Sequence, residues 1–253
     1  MSVETIAKTA SVAKSSCQSK VLTVFCDFDG PLVDVSDRYY NTYQLALHET
    51  YHYYSRFDPF LKINPLSKKE FWQMKQERAN DQEIALRSGL KVQQIPYFVQ
   101  QVRSIVNDVS LLTKDKFHRG VNWALALLHS QGVRLVVVTL RCQDQVSQIL
   151  TNYGLLRLFS GVYGTTDAMA AYSNNIECKT ALLKKALAEH QTHRTCMIGD
   201  TEADILAAKA MGISAIALTC GIRSYSYLQQ FEPDQIESNF LTTAYHLLAD
   251  QTP

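Results

Sequence analysis

The chain of 253 residues has little surplus charge of either sign: 25 Lys and Arg stand against 24 Asp and Glu, a net charge of +1. A protein that grips nucleic acid needs a basic excess to displace counterions, so this balance argues against a large nucleic-acid footprint. No uninterrupted apolar run approaches the roughly 18 residues that a membrane span needs. No internal repeat or low-complexity stretch is visible, and no CxxC pair occurs among the six cysteines, Cys17, Cys26, Cys142, Cys178, Cys196 and Cys220. A chain this long does not need disulfide staples, so the expectation is free thiols in a reducing cytosol. The first 20 residues lack the apolar stretch of a secretory signal. Their Ser, Thr and Lys content would suit a transit peptide, but they contain no Arg and include the acidic Glu4. Residues 1–19 are read as a mobile polar tail and the protein as cytoplasmic.

Apolar residues make up 46% of the chain and charged residues 19%, so a packed core is within reach. The length suits one domain with a sizeable insert. Val21–Cys26 is short, β-prone and nearly continuously apolar, as expected for a parallel strand buried on both faces. Further strands are predicted at Val133–Thr139, Gly161–Gly164, Thr195–Ile198 and Ile213–Leu218. Helical patterns lie between them at Asn122–Ser130, Asp144–Tyr153, Lys179–His190 and Glu202–Met211. This alternation predicts an α/β doubly wound, Rossmann-like parallel sheet built from residues 20–33 and 115–253. Residues 34–114 form an insert too long for a simple crossover. Its pattern is helical, at about Ser36–Thr50, Ser67–Asn80, Gln82–Ser88 and Pro96–Leu112, with Ser67 and Glu70 spaced as a capping box.

Two strands run into acids. The first ends in Asp27-Phe28-Asp29-Gly30, and the fourth ends in Gly199-Asp200, with Asp204 four residues on. Each alone has a plain structural reading, as a polar strand end with a turn glycine or as a helix cap. Together they carry more, because open α/β sheets bind ligands at the carboxyl ends of strands where the winding reverses. If strands one and four are neighbours there, Asp27, Asp29, Asp200 and Asp204 converge. Four carboxylates would repel one another without a cation, and oxygen-only donors favour Mg²⁺. Thr139 closes the second strand, where a hydroxyl and the following amides could hold phosphate. Lys179 opens a helix, where it is either solvated or a cation balancing Asp27.

Asp27-Phe-Asp-Gly-Pro-Leu32, Thr139, Lys179 and Gly199-Asp-Thr-Glu-Ala-Asp204 resemble, in order, the four motifs of the haloacid dehalogenase-like hydrolase superfamily. The first and fourth are specific in combination, while the second and third count by position. The resemblance covers about residues 20–33 and 118–222, and residues 34–114 resemble that superfamily's helical C1-type cap. It implies a sheet of order 3-2-1-4-5 and an Mg²⁺-dependent phosphatase acting on a small phosphorylated metabolite. Asp27 would be the nucleophile that forms an aspartyl-phosphate, and Asp29 the general acid and then base. Mg²⁺ would sit on the Asp27 carboxylate, the Asp29 carbonyl and the Asp200 carboxylate, with Asp204 holding a metal-bound water or orienting the site. Thr139 and Lys179 would bind the phosphoryl oxygens. An Asp at position 29 favours phosphate esters over carbon–halogen bonds, because an alkoxide leaving group needs a proton. Pro31 departs from the commoner Thr. A phosphomutase of the sugar-phosphate type shares these residues, and a non-hydrolytic phosphate-binding protein is the alternative outside enzymes.

In the insert, 11 Lys and Arg against 9 Asp and Glu make no strong anion trap. Seven of the 13 tyrosines lie there, among them Tyr39, Tyr40, Tyr43, Tyr51, Tyr53 and Tyr54, as core packing or as a pocket lining. Arg38 and Tyr39 lie nearest the first motif and could face the substrate. Lys75, Arg78 and Arg87 are candidates for a substrate anion or are solvated. His48 and His52 are four residues apart, the spacing of a metal pair. Arg141 reads as a surface arginine or as an extra phosphate contact. The protein is expected as a monomer or homodimer, without nucleic-acid or membrane partners.

Overall fold

A computed structural model describes residues 21–250 apart from 168 and 191, so the tail expected at 1–19 and Cys17 lie outside the described residues. After β1 (Leu22–Cys26) and a two-residue strand β2 (Val33–Asp34) come five helices. These are α1 (Ser36–Tyr54), α2 (Lys68–Gln76), α3 (Asp81–Arg87), α4 (Ile95–Ile105) and α5 (Val109–Leu112). Strand β3 (Lys116–Phe117) then returns antiparallel to β2, Val33 opposite Phe117. The rest alternates: α6 (Val121–Ser130), β4 (Arg134–Cys142), α7 (Gln143–Asn152), β5 (Phe159–Thr165), α8 (Ala170–Ser173), α9 (Ile176–His190) and β6 (Arg194–Gly199). It closes with α10 (Glu202–Ala210), β7 (Ser214–Leu218), α11 (Tyr225–Gln229), β8 (Gln235–Glu237) and α12 (Phe240–Ala249).

The six-stranded sheet has the order β5-β4-β1-β6-β7-β8, and its strand pairs are parallel. It is an α/β Rossmann-like fold with the expected strand order, extended by the edge strand β8. All five residues of β1 are buried, which explains their unbroken apolar character. Leu22, Val24 and Cys26 face α6, α7 and α12, while Phe25 faces α9, α10 and α11. The winding reverses between β1 and β6, so Asp27 and Asp200 leave neighbouring strand ends.

The inserted helices pack on an apolar cluster of their own that includes Tyr43, Leu47, Phe71, Ile84 and Phe98. Ser67 and Glu70 form the expected capping box, Ser67 N–H donating to Glu70 Oε2 at 2.9 Å. The single helix expected over Pro96–Leu112 is instead α4 and α5 with a break at Val106–Asp108. The β2–β3 ribbon that carries the chain into and out of the helices has no periodicity a two-residue strand could show. Tyr43 is core, whereas Tyr53 stacks on Tyr97 at the surface, centroids 4.6 Å apart. His48 and His52 are exposed neighbours with ring centroids 5.2 Å apart; Glu49 Oε1 lies 3.8 Å from His48 Nδ1, but the three side chains do not converge as a metal-holding group among the described residues. Cys26 and Cys196 are buried, while Cys142, Cys178 and Cys220 are partly exposed, and all five are free thiols.

Candidate active site

Asp27 is the first residue past β1. Its N–H donates to the Ile198 carbonyl at 2.9 Å, which locks it to β6. Asp27 Oδ1 accepts from Phe28 N–H at 2.7 Å, and Oδ2 lies 2.9 Å from Lys179 Nζ. Lys179 is fully buried and also reaches Asp204 Oδ1 at 2.7 Å. It sits one turn inside α9 rather than opening it, because Ile176–Cys178 precede it in the helix and its N–H bonds the Asn175 carbonyl. Asp204 Oδ2 accepts from Thr201 N–H and Oγ1 at 3.1 and 2.8 Å, so the same carboxylate caps α10 and holds Lys179.

Asp200 is fully buried. One oxygen, Oδ2, accepts from Ile222 N–H at 2.6 Å, and the other, Oδ1, has no partner. Two glycines make room for this carboxylate: a Cβ at Gly30 or at Gly221 would lie 2.1 Å from Asp200 Oδ2. Gly30 also takes φ +99°, a conformation that disfavours side chains. Oxygens of Asp27, Asp200 and Asp204 come within 4.8 Å of one another.

Asp29 does not join this cluster. The even spacing of Asp27 and Asp29 put both on one face only if the strand continued, but β1 ends at Cys26 and the chain turns at Gly30. Asp29 instead lies between two arginines, with Oδ2 2.6 Å from Arg38 Nη2 and Oδ1 2.9 Å from Arg141 Nη1. Both arginines also hold Asp115, at 2.9 and 2.8 Å. Both arginines are buried, and the two carboxylates are largely so. Arg38 is therefore committed to Asp29 and Asp115, not presented to a substrate, while Tyr39 beside it packs against Trp72. The surface reading of Arg141 is overturned, since the residue is only 4% exposed. Thr139 is buried too, but β4 runs three residues beyond it; it lies where the β4–β5 register shifts. Its hydroxyl accepts from Arg141 N–H at 3.2 Å.

Asp115 gave no signal in sequence, and Arg141 offered only its place after Thr139, both being single charges without periodic context. His118 was missed likewise: its Nε2 is 2.8 Å from the Gly30 carbonyl, pinning the turn after Asp29.

The charges of the cluster are strained. Burial pushes Asp27 up to about 7, against the pull of Lys179 and with the repulsion of Asp204. Burial pushes Asp200 well above the ordinary carboxylate value, with Asp204 and Asp27 repelling it further. Burial would also raise Asp29, but Arg141 and Arg38 outweigh it and hold the group below its usual value. Burial would lower Lys179, yet Asp204 and Asp27 raise it, so it stays a cation. Carboxylates this close, an orphaned buried oxygen and an all-oxygen donor set fit a divalent cation of the magnesium type.

These shifts set the sign of a pH effect. A carboxylate raised in the folded state takes up protons on folding, so its stabilisation is complete below the unfolded value near 3.8 and is lost as pH rises through about 7. In EDTA, the melting temperature should therefore be higher at pH 5.5 than at pH 8. Millimolar MgCl₂ should raise the pH 8 value most, because there the carboxylates are charged. A melting temperature in EDTA that climbs from pH 5.5 to 8 would contradict this electrostatic picture.

Comparison with known proteins places the chain among hydrolases. The family model described as haloacid dehalogenase-like hydrolase matches residues 24–218. A pyrophosphatase of Halalkalibacterium halodurans is 25% identical over 221 residues, 86% of this chain and 92% of that protein. A phosphoglycolate phosphatase of Aliivibrio fischeri is 32% identical over 116 residues, 46% of this chain and 50% of its own length. In fold, a haloacid dehalogenase-like hydrolase from Streptococcus pneumoniae superposes with a TM-score of 0.59 at 22% identity, covering 90% of this chain and 99% of that one.

Proposed function

The chain belongs to the haloacid dehalogenase-like hydrolases, and we propose that it is a phosphoric monoester hydrolase that cleaves a small phosphorylated metabolite through an aspartyl-phosphate on Asp27. The observation that carries this reading is the trio of Asp27, Asp200 and Lys179 at the switch point of the sheet, with an unpartnered oxygen on Asp200. Asp27 Oδ2 attacks phosphorus while Lys179 binds a phosphoryl oxygen and Thr139 offers its hydroxyl to another. Asp204 keeps Lys179 in place. Magnesium held by the Asp27 and Asp200 carboxylates and the Asp29 carbonyl, with Asp204 at its edge, would screen the phosphate dianion from the attacking carboxylate. Residues 34–114 act as the cap that covers the site and excludes water.

Asp29 gives its proton to the leaving oxygen and then takes one from the water that hydrolyses the phosphoenzyme. Arg38 and Arg141 favour its ionised form, the one suited to the second half. The acid half therefore depends on the incoming phosphate and leaving group drawing the proton to Asp29. The expected result for Asp29→Asn is a loss that grows with leaving-group pKa, so alkyl phosphates suffer more than p-nitrophenyl phosphate. Equal slowing of both would remove the general-acid role.

The direct test of the activity is release of p-nitrophenol from p-nitrophenyl phosphate with Mg²⁺, abolished by EDTA and restored by the metal. Phosphate binding without metal-dependent turnover would overturn the assignment. A time course of free phosphate against isomer formation separates hydrolysis from mutase chemistry.

A further inference from the structure

Between the inserted helices and the sheet lies a narrow cleft of about 50 Å³. Tyr39, Lys75 and Arg78 line it from the helical side, and Asn174, Thr201 and Arg223 from the sheet side. It opens toward a wider groove that adds Arg103 and Asp81. These walls are tied together: Arg223 Nη1 donates to the Lys75 carbonyl at 3.0 Å and Ser224 N–H to the Gln76 carbonyl at 3.1 Å. They also touch the catalytic carboxylates. Thr201 Oγ1 is bonded to Asp204 at 2.8 Å, and Ile222, another lining residue, donates its N–H to Asp200 at 2.6 Å.

The charge here is unbalanced. Glu202 pairs with both Arg78 and Arg223, at 2.8 and 3.0 Å, and Asp81 pairs with Lys75 at 3.3 Å. Arg103 lies over the Tyr172 ring, 5.6 Å from its centroid, with no carboxylate in salt-bridge range among the described residues. Four cations thus face two carboxylates. The other arginine pair has no such surplus, because Arg38 and Arg141 are matched by Asp29 and Asp115. Asn174 adds an amide: its Oδ1 lies 3.3 Å from Thr201 Oγ1, and its Nδ2 is buried with no partner.

The backbone points to the same place. Arg78, Asn174 and Glu232 are the non-glycine residues with positive φ among the described residues, and the first two stand on opposite walls of this cleft, at φ 66° and 49°. Left-handed backbone at such residues is disfavoured and tends to gather at binding sites.

We propose that this cleft is a second anion subsite, so that the preferred substrates carry another negative group, a carboxylate or a second phosphate, on the leaving group. The inference rests on the phosphatase reading and narrows its substrate class. One charge-assisted contact to an otherwise solvated anion corresponds to roughly a 10- to 100-fold gain.

The test uses the full chain with Mg²⁺ and matched esters. Ethyl phosphate is compared with phosphoglycolate, which replaces its methyl by a carboxylate, and propyl phosphate with 1,3-propanediol bisphosphate. The expected result is a kcat/KM at least about tenfold higher for the doubly anionic member of at least one pair, mostly through KM. The pair that shows it identifies the group. Arg78→Gln, which leaves Glu202 paired with Arg223, and Asn174→Gly, which keeps the backbone conformation accessible, should each shrink that ratio severalfold. Because the readout is a ratio within one variant, a general loss of activity cancels. Ratios within twofold of unity for both pairs in the wild type, or ratios unchanged by both variants, would overturn the subsite while turnover of the simple esters left the phosphatase reading intact. No metal-dependent turnover of any ester, p-nitrophenyl phosphate included, would remove both.

Discussion

Replacing Asp27 with Asn should lower kcat on p-nitrophenyl phosphate by at least about 10⁴-fold and leave the protein folded. The amide keeps the shape of the carboxylate but cannot attack phosphorus. Its effect on stability runs the other way from its effect on activity. The folded state already resists ionising Asp27, whose pKa burial raises to about 7, so removing the charge removes a cost at pH 8. Lys179 retains Asp204 at 2.7 Å. Without metal, the variant should melt at or above the wild-type temperature, by about 2–4 °C for each kcal/mol recovered. Calorimetry in EDTA beside steady-state rates in Mg²⁺ reads both effects. Residual turnover within a hundredfold of wild type would take the nucleophile's role from Asp27. A large drop in melting temperature would mean that its charge holds the fold together.

Lys179→Met should be the most destabilising change at the site. The side chain is fully buried and lies within 2.9 Å of two carboxylates, Asp27 and Asp204, so its loss leaves them facing one another without a counter-charge. Removing one partner of a buried ion pair costs about 3–5 kcal/mol. That figure is expected at pH 8 from urea unfolding in EDTA. At pH 5.5 the loss should be clearly smaller, since Asp27 is then protonated and repels Asp204 less. Equal losses at the two pH values would mean that the packing of the aliphatic stem matters rather than the charge. In the folded population, kcat/KM should fall by roughly 10²–10³, the usual effect of losing one preorganised donor to a developing oxyanion.

How far the site was legible in sequence depended on how local each signal was. Val21–Cys26 announced a central strand, because a strand buried on both faces must be apolar at every position, and its terminal Asp27 came with it. Asp200 and Asp204 were found the same way, and Ser67 with Glu70 was readable as a cap because both partners lie in one helical turn. β8 escaped because Gln235–Glu237 is a three-residue polar edge with no pattern to read. The burial of Arg141 escaped for a different reason. A single arginine after a strand looks alike whether solvated or buried, and its burial depends on Asp29 and Asp115, which are 112 and 26 residues away in sequence. The direction of Asp29 was misjudged because strand alternation was extended past the end of the strand.

Hydrophobic burial has a period, so the order of strands and helices, the family and the positions of the acids could be read along the chain itself. Which acids meet and which cation neutralises each one has no such period. Asp27 and Asp204 share Lys179, and Asp29 and Asp115 share Arg38 and Arg141, only because the folded sheet and the β2–β3 ribbon bring distant segments together. A buried charge must be balanced by whatever charge lies nearest in space, and that choice belongs to the tertiary structure.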